Sequence, residues 1–413
     1  MNEERLKIFV SAYACEPNLG SEIGVGWHWV LEMSKYFDLW VLTRKSNQSN
    51  IETWLIQNPL SHKINFIYYD LPQRLRFWKK GLRGVRTYYV LWQMLTNAIV
   101  KKTMEENQIE IFHLLTYGNA LWPVSRFGQS KFFIWGPTGV GDYIPYEFSK
   151  HYGLKWQIIE FVRSLAMKTL PLNIGFRNRC KKAKLIFCKT EATRNSIPAK
   201  FRKKAILFTD VAVEPLDTTR YLQENNDPSE ITKYLSVGRL DAWRGFDLLI
   251  EAFAKVIEKT KNVRLEIIGN GSDRERLRSL ITRNHLENYV MLTGHVSKEE
   301  YYSKMAQCDV VVNPCLKEGG VTTAFDSMSF CKPLICIDTG GYTHYFSSDY
   351  AEIIPRTTRN EVINNLYKAI IKLWDIDVRT IKGKKALNAA SLYTWEEKSK
   401  KIYTNIVNFY NNY

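Results

Sequence analysis

No segment of this 413-residue chain approaches the ~18 uninterrupted apolar residues of a membrane span. The opening residues, MNEERLKIFVSAY, lack the layout of a signal peptide and enter a strand at once, so the chain is expected to stay in the cytoplasm. The seven cysteines form no C-x-x-C pair and several fall in apolar strands. That argues for reduced, buried thiols and against a zinc or disulfide framework. No dinucleotide G-x-G-x-x-G spacing occurs, since Gly20, Gly24 and Gly26 are set differently. An Asp-x-Asp metal signature is read as absent as well.

What is present suits a large α/β protein. Apolar residues make up 45%, enough for two cores, and the length favours two domains. The net charge of +16 is unevenly placed. Residues 1–212 hold 31 Lys and Arg against 16 Asp and Glu, and the remainder holds 27 against 26. An anionic partner is therefore expected for the first half alone.

In that half, strands alternate with glycine loops and helices. ACEPNLGSEIGVGW follows the first strand, LTYGNALWP follows the strand with His113, and GPTGVGDYIP follows the next and ends at Asp142. Between residues 71 and 102 the chain carries Arg74, Arg76, Lys79, Lys80, Arg83 and Arg86 before any acid. Apolar residues recur there at three-and-four spacing (Leu71, Leu75, Trp78, Leu82, Val85, Tyr89, Trp92, Leu95), predicting a basic interfacial helix on an anionic membrane. An ordinary domain helix with a solvated basic face is the competing reading. Residues 150–184 form a second basic, aromatic block, which supports the membrane reading and is expected to meet the same anionic surface.

The polar stretch near 212–231 reads as the hinge. Beyond it, a strand ends at Gly238 and is followed by Arg239, Arg244 and Gly245 before a helix, an arrangement that can grip a diphosphate with forked hydrogen bonds. The segment 308–341, CDVVVNPCLKEGGVTTAFDSMSFCKPLICIDTGG, reads strand, glycine loop, helix, strand, with Glu318 at the loop and Asp326 on the helix. Loops at the carboxyl ends of parallel strands bind ligands, so this segment is expected to hold a polyhydroxylated, phosphate-bearing molecule.

With these pieces assembled, the chain resembles glycosyltransferase family 4. VGRLDAWRGFDLLIEAF, LEIIGNG, VMLTGHV and KEGGVTTAFDSMSFCKPLICIDTGG carry the likeness in the second half, and ACEPNLGSEIGVGW, HLLTYGN and WGPTGVGDYIP carry it in the first. The resemblance implies an α/β GT-B fold: two facing Rossmann-like domains with parallel sheets and an interdomain cleft. Residues 1–212 would face acceptor and membrane, 213–394 would bind a nucleotide sugar, and a C-terminal helix at about 395–413 would pack back onto the first domain.

The resemblance also assigns residues. Arg239 and Arg244 match the basic pair on the diphosphate, Glu318 the acid on the donor sugar, and Asp326 the acid on the ribose, where the family usually has Glu. Gly20, Ser21, Gly238, Gly269, Val296, Gly319, Gly320, Val321 and Thr322 fall at donor-binding positions. His113 is carried over as catalytic, and Glu22, Tyr117 and Asp142 as acceptor or cleft residues. Val321, Leu115 and His344 depart from the family pattern. The activity implied is retaining transfer from a nucleoside-diphosphate sugar to a glycan or lipid-linked acceptor of a cell-surface polysaccharide, with no cofactor and no metal. The rival reading is a weak or inactive relative that binds sugar nucleotide or scaffolds an assembly. Nucleic acid is not an expected partner, because no recognition module is present.

Overall fold

The computed structural model describes residues 5–79, 81, 84–117, 130–214, 216–218, 221, 230–317 and 322–413. The chain forms two compact units. The first comprises Met1–Gly141, Lys168–Asp210 and Trp395–Tyr413, and the second Asp142–Met167 and Val211–Thr394. Each is built on one sheet.

The first sheet contains β1 (Lys7–Ser11), β2 (Asp38–Arg44), β3 (Ile64–Tyr69), β4 (Ile111–Leu114), β5 (Phe132–Thr138), β6 (Ala183–Cys188) and β7 (Ala205–Leu207), ordered 3-2-1-4-5-6-7. The second contains β8 (Thr232–Val237), β9 (Val263–Ile268), β10 (Val290–Gly294), β11 (Val310–Asn313), β12 (Leu334–Ile337) and β13 (Ala351–Ile354), ordered 10-9-8-11-12-13. Every pairing within the two sheets is parallel. The central strands β4, β5, β11 and β12 are buried along their whole length, which explains their near-continuous apolar runs. In each sheet the order reverses beside the first strand, between β1 and β4 and between β8 and β11, and such a switch point is where ligands bind in doubly wound folds.

Helices fill the connections. The C-terminal helix Trp395–Asn411 buries Ile402 and Ile406 in the first unit and stacks Trp395 on His28 and Tyr403 on Tyr36. Segment Asp142–Met167, contiguous with the first half in sequence, inserts Ile144, Phe148 and Tyr152 into the apolar core around Phe246, Leu249 and Phe253 of the second unit. Nothing in its periodicity could reveal that, because an apolar face does not name the surface that covers it.

Residues 71–102 do not form one helix. A short turn of 3-10 helix (Gln73–Leu75) is followed by α-helices Val85–Leu95 and Asn97–Glu106, and Gly84 starts the first with φ 78°. Leu71, Tyr88, Tyr89 and Trp92 are core residues, and the Trp92 indole N–H donates to the Tyr69 carbonyl at 2.9 Å. Of the apolar stripe predicted to meet a bilayer here, Leu71, Tyr89 and Trp92 are thus taken into the protein's own core, whereas Leu75 and Leu95 stay exposed. Leu82 lies outside the described residues.

Candidate active site

At the switch point of the second sheet, the loops leaving β8 and β11 touch. The Leu316 N–H donates to the Trp243 carbonyl at 3.2 Å, and the Ser236 hydroxyl of β8 donates to the Val312 carbonyl of β11 at 2.7 Å. Gly245, at φ +71°, permits this approach: a Cβ there would stand 2.1 Å from the Pro314 carbonyl oxygen. The loop after β9 joins the same floor through Gly269, at φ +141°, where a Cβ would meet the Gly238 carbonyl oxygen at 1.9 Å. Its N–H donates to the Gly294 carbonyl at 2.7 Å, tying in β10, whose following loop carries the half-buried Val296. The loops leaving β8, β9, β10 and β11 are therefore held at fixed spacing by backbone contacts that a side chain at either glycine would block.

Cations gather on this floor. The Arg244 guanidinium lies over the Trp243 ring at 4.4 Å and donates to Cys315 Sγ at 3.9 Å. The Lys317 ammonium lies over the same ring at 5.0 Å. Burial pulls Lys317 below the usual lysine value, against opposing fields from Glu160, Cys315 and Asp142. Arg239 is paired with Asp241 and keeps its side chain 72% exposed, so it can turn toward an incoming anion. Sequence reasoning named Arg239 and Arg244 but missed Lys317. Its signal was its place directly before Glu318 at a strand end. Asp142 belongs to this unit and acts electrostatically on Lys317, together with Glu160 and Arg163 of the helix that follows.

Helix Thr322–Ser329 leaves the same switch point, with Thr322 exposed at its start and Asp326 buried one turn later. The Tyr301 hydroxyl donates to Asp326 Oδ2 at 2.7 Å, and the Thr323 side chain bonds the same hydroxyl. Desolvation raises the Asp326 carboxyl to about 7, while the Tyr301 hydrogen bond opposes the rise. Tyr301 was not singled out from the sequence, since a tyrosine on a polar helix is unremarked until its partner is known. Glu318, Gly319, Gly320 and Val321 lie outside the described residues.

The first unit has its own switch point. Gly20 starts helix Ser21–Ser34 with an ordinary φ of −87° and open space around it, whereas Gly24 and Gly26 are packing glycines whose Cβ atoms would strike the Leu19 and Ala14 carbonyl oxygens at 1.9 and 2.0 Å. The Ser21 side chain is outside the described set. Glu22 Oε1 accepts from the Tyr117 N–H at 2.9 Å, holding Tyr117 at φ 54° after β4, and Glu22 Oε2 lies 4.0 Å from Lys189 Nζ. Tyr117 packs on the buried Tyr13 ring at 4.9 Å.

His113 is placed otherwise. It is fully buried between Trp29 and Phe187, and its Nε2 donates to the Gly136 carbonyl at 2.6 Å. Burial drives its pKa down to about 4, so the ring stays neutral. This is a structural place, with no surface at which a substrate could meet the imidazole. An Asp-x-Asp triplet read as absent does occur, Asp375-Ile376-Asp377. Its first carboxylate caps helix Ile376–Ala390 by accepting from the Asp377 and Val378 N–H groups at 2.9 and 3.0 Å. That cap explains the triplet without a metal. Among the described residues no group of three or more His, Cys, Asp or Glu side chains could hold an ion.

With the loops, cations and buried acid in place, comparison with known proteins becomes informative. Residues 217–386 match the family described as Glycosyl transferases group 1. The matched segment contains Arg239, Arg244, Lys317 and Asp326. An uncharacterized glycosyltransferase of Methanocaldococcus jannaschii is 25% identical over 239 residues, 55% of this chain and 60% of that protein. A Campylobacter jejuni enzyme named N-acetylgalactosamine-N,N'-diacetylbacillosaminyl-diphospho-undecaprenol 4-alpha-N-acetylgalactosaminyltransferase is 33% identical over 116 residues, 28% of this chain and 30% of that one. The curated relatives thus align over less than two thirds of their length. Among solved structures, Anabaena HepE in complex with UDP and glucose superposes over 98% of this chain and all of that one, with a TM-score of 0.60 at 16% identity. The fold is the two-domain α/β GT-B class, and the matched segment spans the second of its sheets.

Proposed function

We propose that the protein is a glycosyltransferase that binds a nucleoside-diphosphate sugar on its second unit. It transfers the sugar, with retention and without a metal ion, to a glycan or lipid-linked acceptor in cell-surface polysaccharide synthesis at the cytoplasmic side of a membrane. The observation that carries this reading is the convergence of Arg239, Arg244 and Lys317 on the linked loops after β8 and β11, beside the helix that holds Asp326. A diphosphate leaving group gathers negative charge as the glycosidic C–O bond breaks, and cations already fixed in place stabilise that charge more than they stabilise the bound donor. The group 1 match, the UDP and glucose in HepE and the polyprenyl acceptor in the Campylobacter enzyme's name all point the same way.

In the proposed step the acceptor hydroxyl oxygen bonds to the anomeric carbon on the face that the phosphate oxygen leaves. The acceptor proton passes to that departing oxygen, and the configuration is kept. Arg239, Arg244 and Lys317 hold the diphosphate, and Asp326 accepts from ribose hydroxyls. Replacing Arg244 or Lys317 by Ala should lower donor turnover ~100-fold, as removing one preorganised donor to a developing charge does elsewhere. Chelation by EDTA should leave turnover unchanged, and proton NMR of the product should show the donor's anomeric configuration. Inverted product would overturn the retaining step, and loss of activity in EDTA the metal-free one.

One observation favours the rival reading of a sugar-nucleotide binder with weak turnover. Asp326 is largely protonated below pH 7 and already engaged by Tyr301. Nucleotide-sugar binding in calorimetry without product in a turnover assay would select it.

A further inference from the structure

Helix Leu154–Lys168 presents an apolar face to solvent. Leu154, Ile158, Phe161, Val162 and Leu165 are 73, 56, 67, 58 and 56% exposed. Their spacing places them on one stripe roughly 100° wide at the helical period. The exposed Lys155 and Lys168 fall on its two borders. Glu160, the helix's one acid, is on the opposite side, 1% exposed and paired with Arg163, and Trp156 packs there against the core of the second unit. The helix is thus anchored by one face while the other carries large side chains that water disfavours.

A water-exposed helix face is ordinarily polar, and a run of five large apolar side chains on it marks an interaction surface. The charge pattern identifies the kind of partner. Cations border the stripe and no acid lies on it, which complements anionic headgroups around an apolar interior. With 15 residues the helix is ~22 Å long, too short for the ~30 Å hydrocarbon layer, so it would lie in the interface. Among the described residues, no helix is long and apolar enough to cross a membrane.

We infer that helix Leu154–Lys168 is a bilayer-docking element that seats its Phe161 and Leu165 face in the interface of an anionic phospholipid membrane. The inference rests on the proposed membrane location and names the element that makes the contact. It places the contact on this helix rather than on residues 71–102, where Leu71, Tyr89 and Trp92 are core while Leu75, Phe77, Met94 and Leu95 stay exposed.

The test is co-sedimentation of the full chain with vesicles of phosphatidylcholine alone or mixed with phosphatidylglycerol. Wild type should bind the mixed vesicles and not the neutral ones. The double variant Phe161→Asp, Leu165→Asp should lose about ten-fold in partitioning, because two large side chains leave the interface and two charges enter it. Phe77→Asp, at a 78% exposed position in the 71–102 segment, should leave partitioning within about two-fold, as a site away from the contact would. Both are surface changes, and unchanged thermal unfolding checks that the fold survives. Equal binding to both vesicle types, or undiminished binding of the double variant, would overturn the inference. So would a concentration-dependent dimer that the same double variant disperses, since the face would then be covered by a second copy. Hydrolysis of a soluble donor should be unaffected by the double variant; if wild type itself lacks that activity, the enzymatic reading fails separately from the docking one.

Discussion

A carboxyl group buried away from water cannot ionise as easily as one in it, and desolvation accordingly raises Asp326 from the usual 3.8 to about 7. The folded protein therefore holds a proton between those values that the unfolded chain has released. Stability from this group is full below about 3.8, declines as pH rises, and levels off above about 7. Asp326→Asn should remove the decline. Relative to wild type, the variant is expected to gain roughly 2–4 kcal/mol between pH 4 and pH 8 in urea unfolding; parallel curves would show that Asp326 does not titrate in this range. Tyr301→Phe removes a hydrogen bond that favours the ionised form, so the pH midpoint for nucleoside diphosphate binding should move upward. At this scale the sequence was partly legible. It supplied an acid on the first turns of a helix after a glycine loop, but the tyrosine that tunes it comes from helix Lys298–Gln307, 25 residues earlier.

At the scale of elements, the strand-to-helix loops do the positioning. Gly245 both starts helix Phe246–Lys259 in a left-handed conformation and lets the β8 loop close on Pro314. Gly245→Ala meets strain from the positive φ and a Cβ 2.1 Å from a carbonyl oxygen, so it should cost about 2 kcal/mol or more in denaturant unfolding and displace Arg244. Gly20→Ala, with open space and an unstrained backbone, should cost nearly nothing in stability. A loss of turnover in that variant with unchanged unfolding would mark Gly20 as a place where a ligand approaches the backbone. The glycines themselves were plain in the sequence, yet Gly20 and Gly245 look alike there; only neighbouring carbonyl groups separate a packing glycine from one left open.

Considered whole, each unit is completed by a segment from elsewhere in the chain. Truncation after Thr394 would remove the helix whose Trp395, Ile402 and Ile406 are buried in the first unit, whose Tyr403 stacks on Tyr36 and whose Tyr410 meets Phe132 edge-on. At ~1.5–3 kcal/mol for each large side chain buried, the loss is roughly 5 kcal/mol or more, comparable with the whole stability of many domains. The truncated chain should unfold at a markedly lower temperature or precipitate, and calorimetry showing unchanged transitions would contradict that account.

Strand, loop and helix order, the parallel α/β class and the glycine loops with their arginines were determined by the sequence alone, because apolar runs, periodicity and turn residues act locally. Tertiary structure decided what those faces meet. It sent Asp142–Met167 into the second unit, took Leu71, Tyr89 and Trp92 of the apolar stripe of residues 71–102 into the core of the first, buried His113, and brought Lys317 over Trp243 beside Arg244. The physical reason is common to all four. Hydrophobic burial is non-directional and cation placement depends on neighbours in space, so a pattern along the chain says which side wants cover without saying which surface provides it.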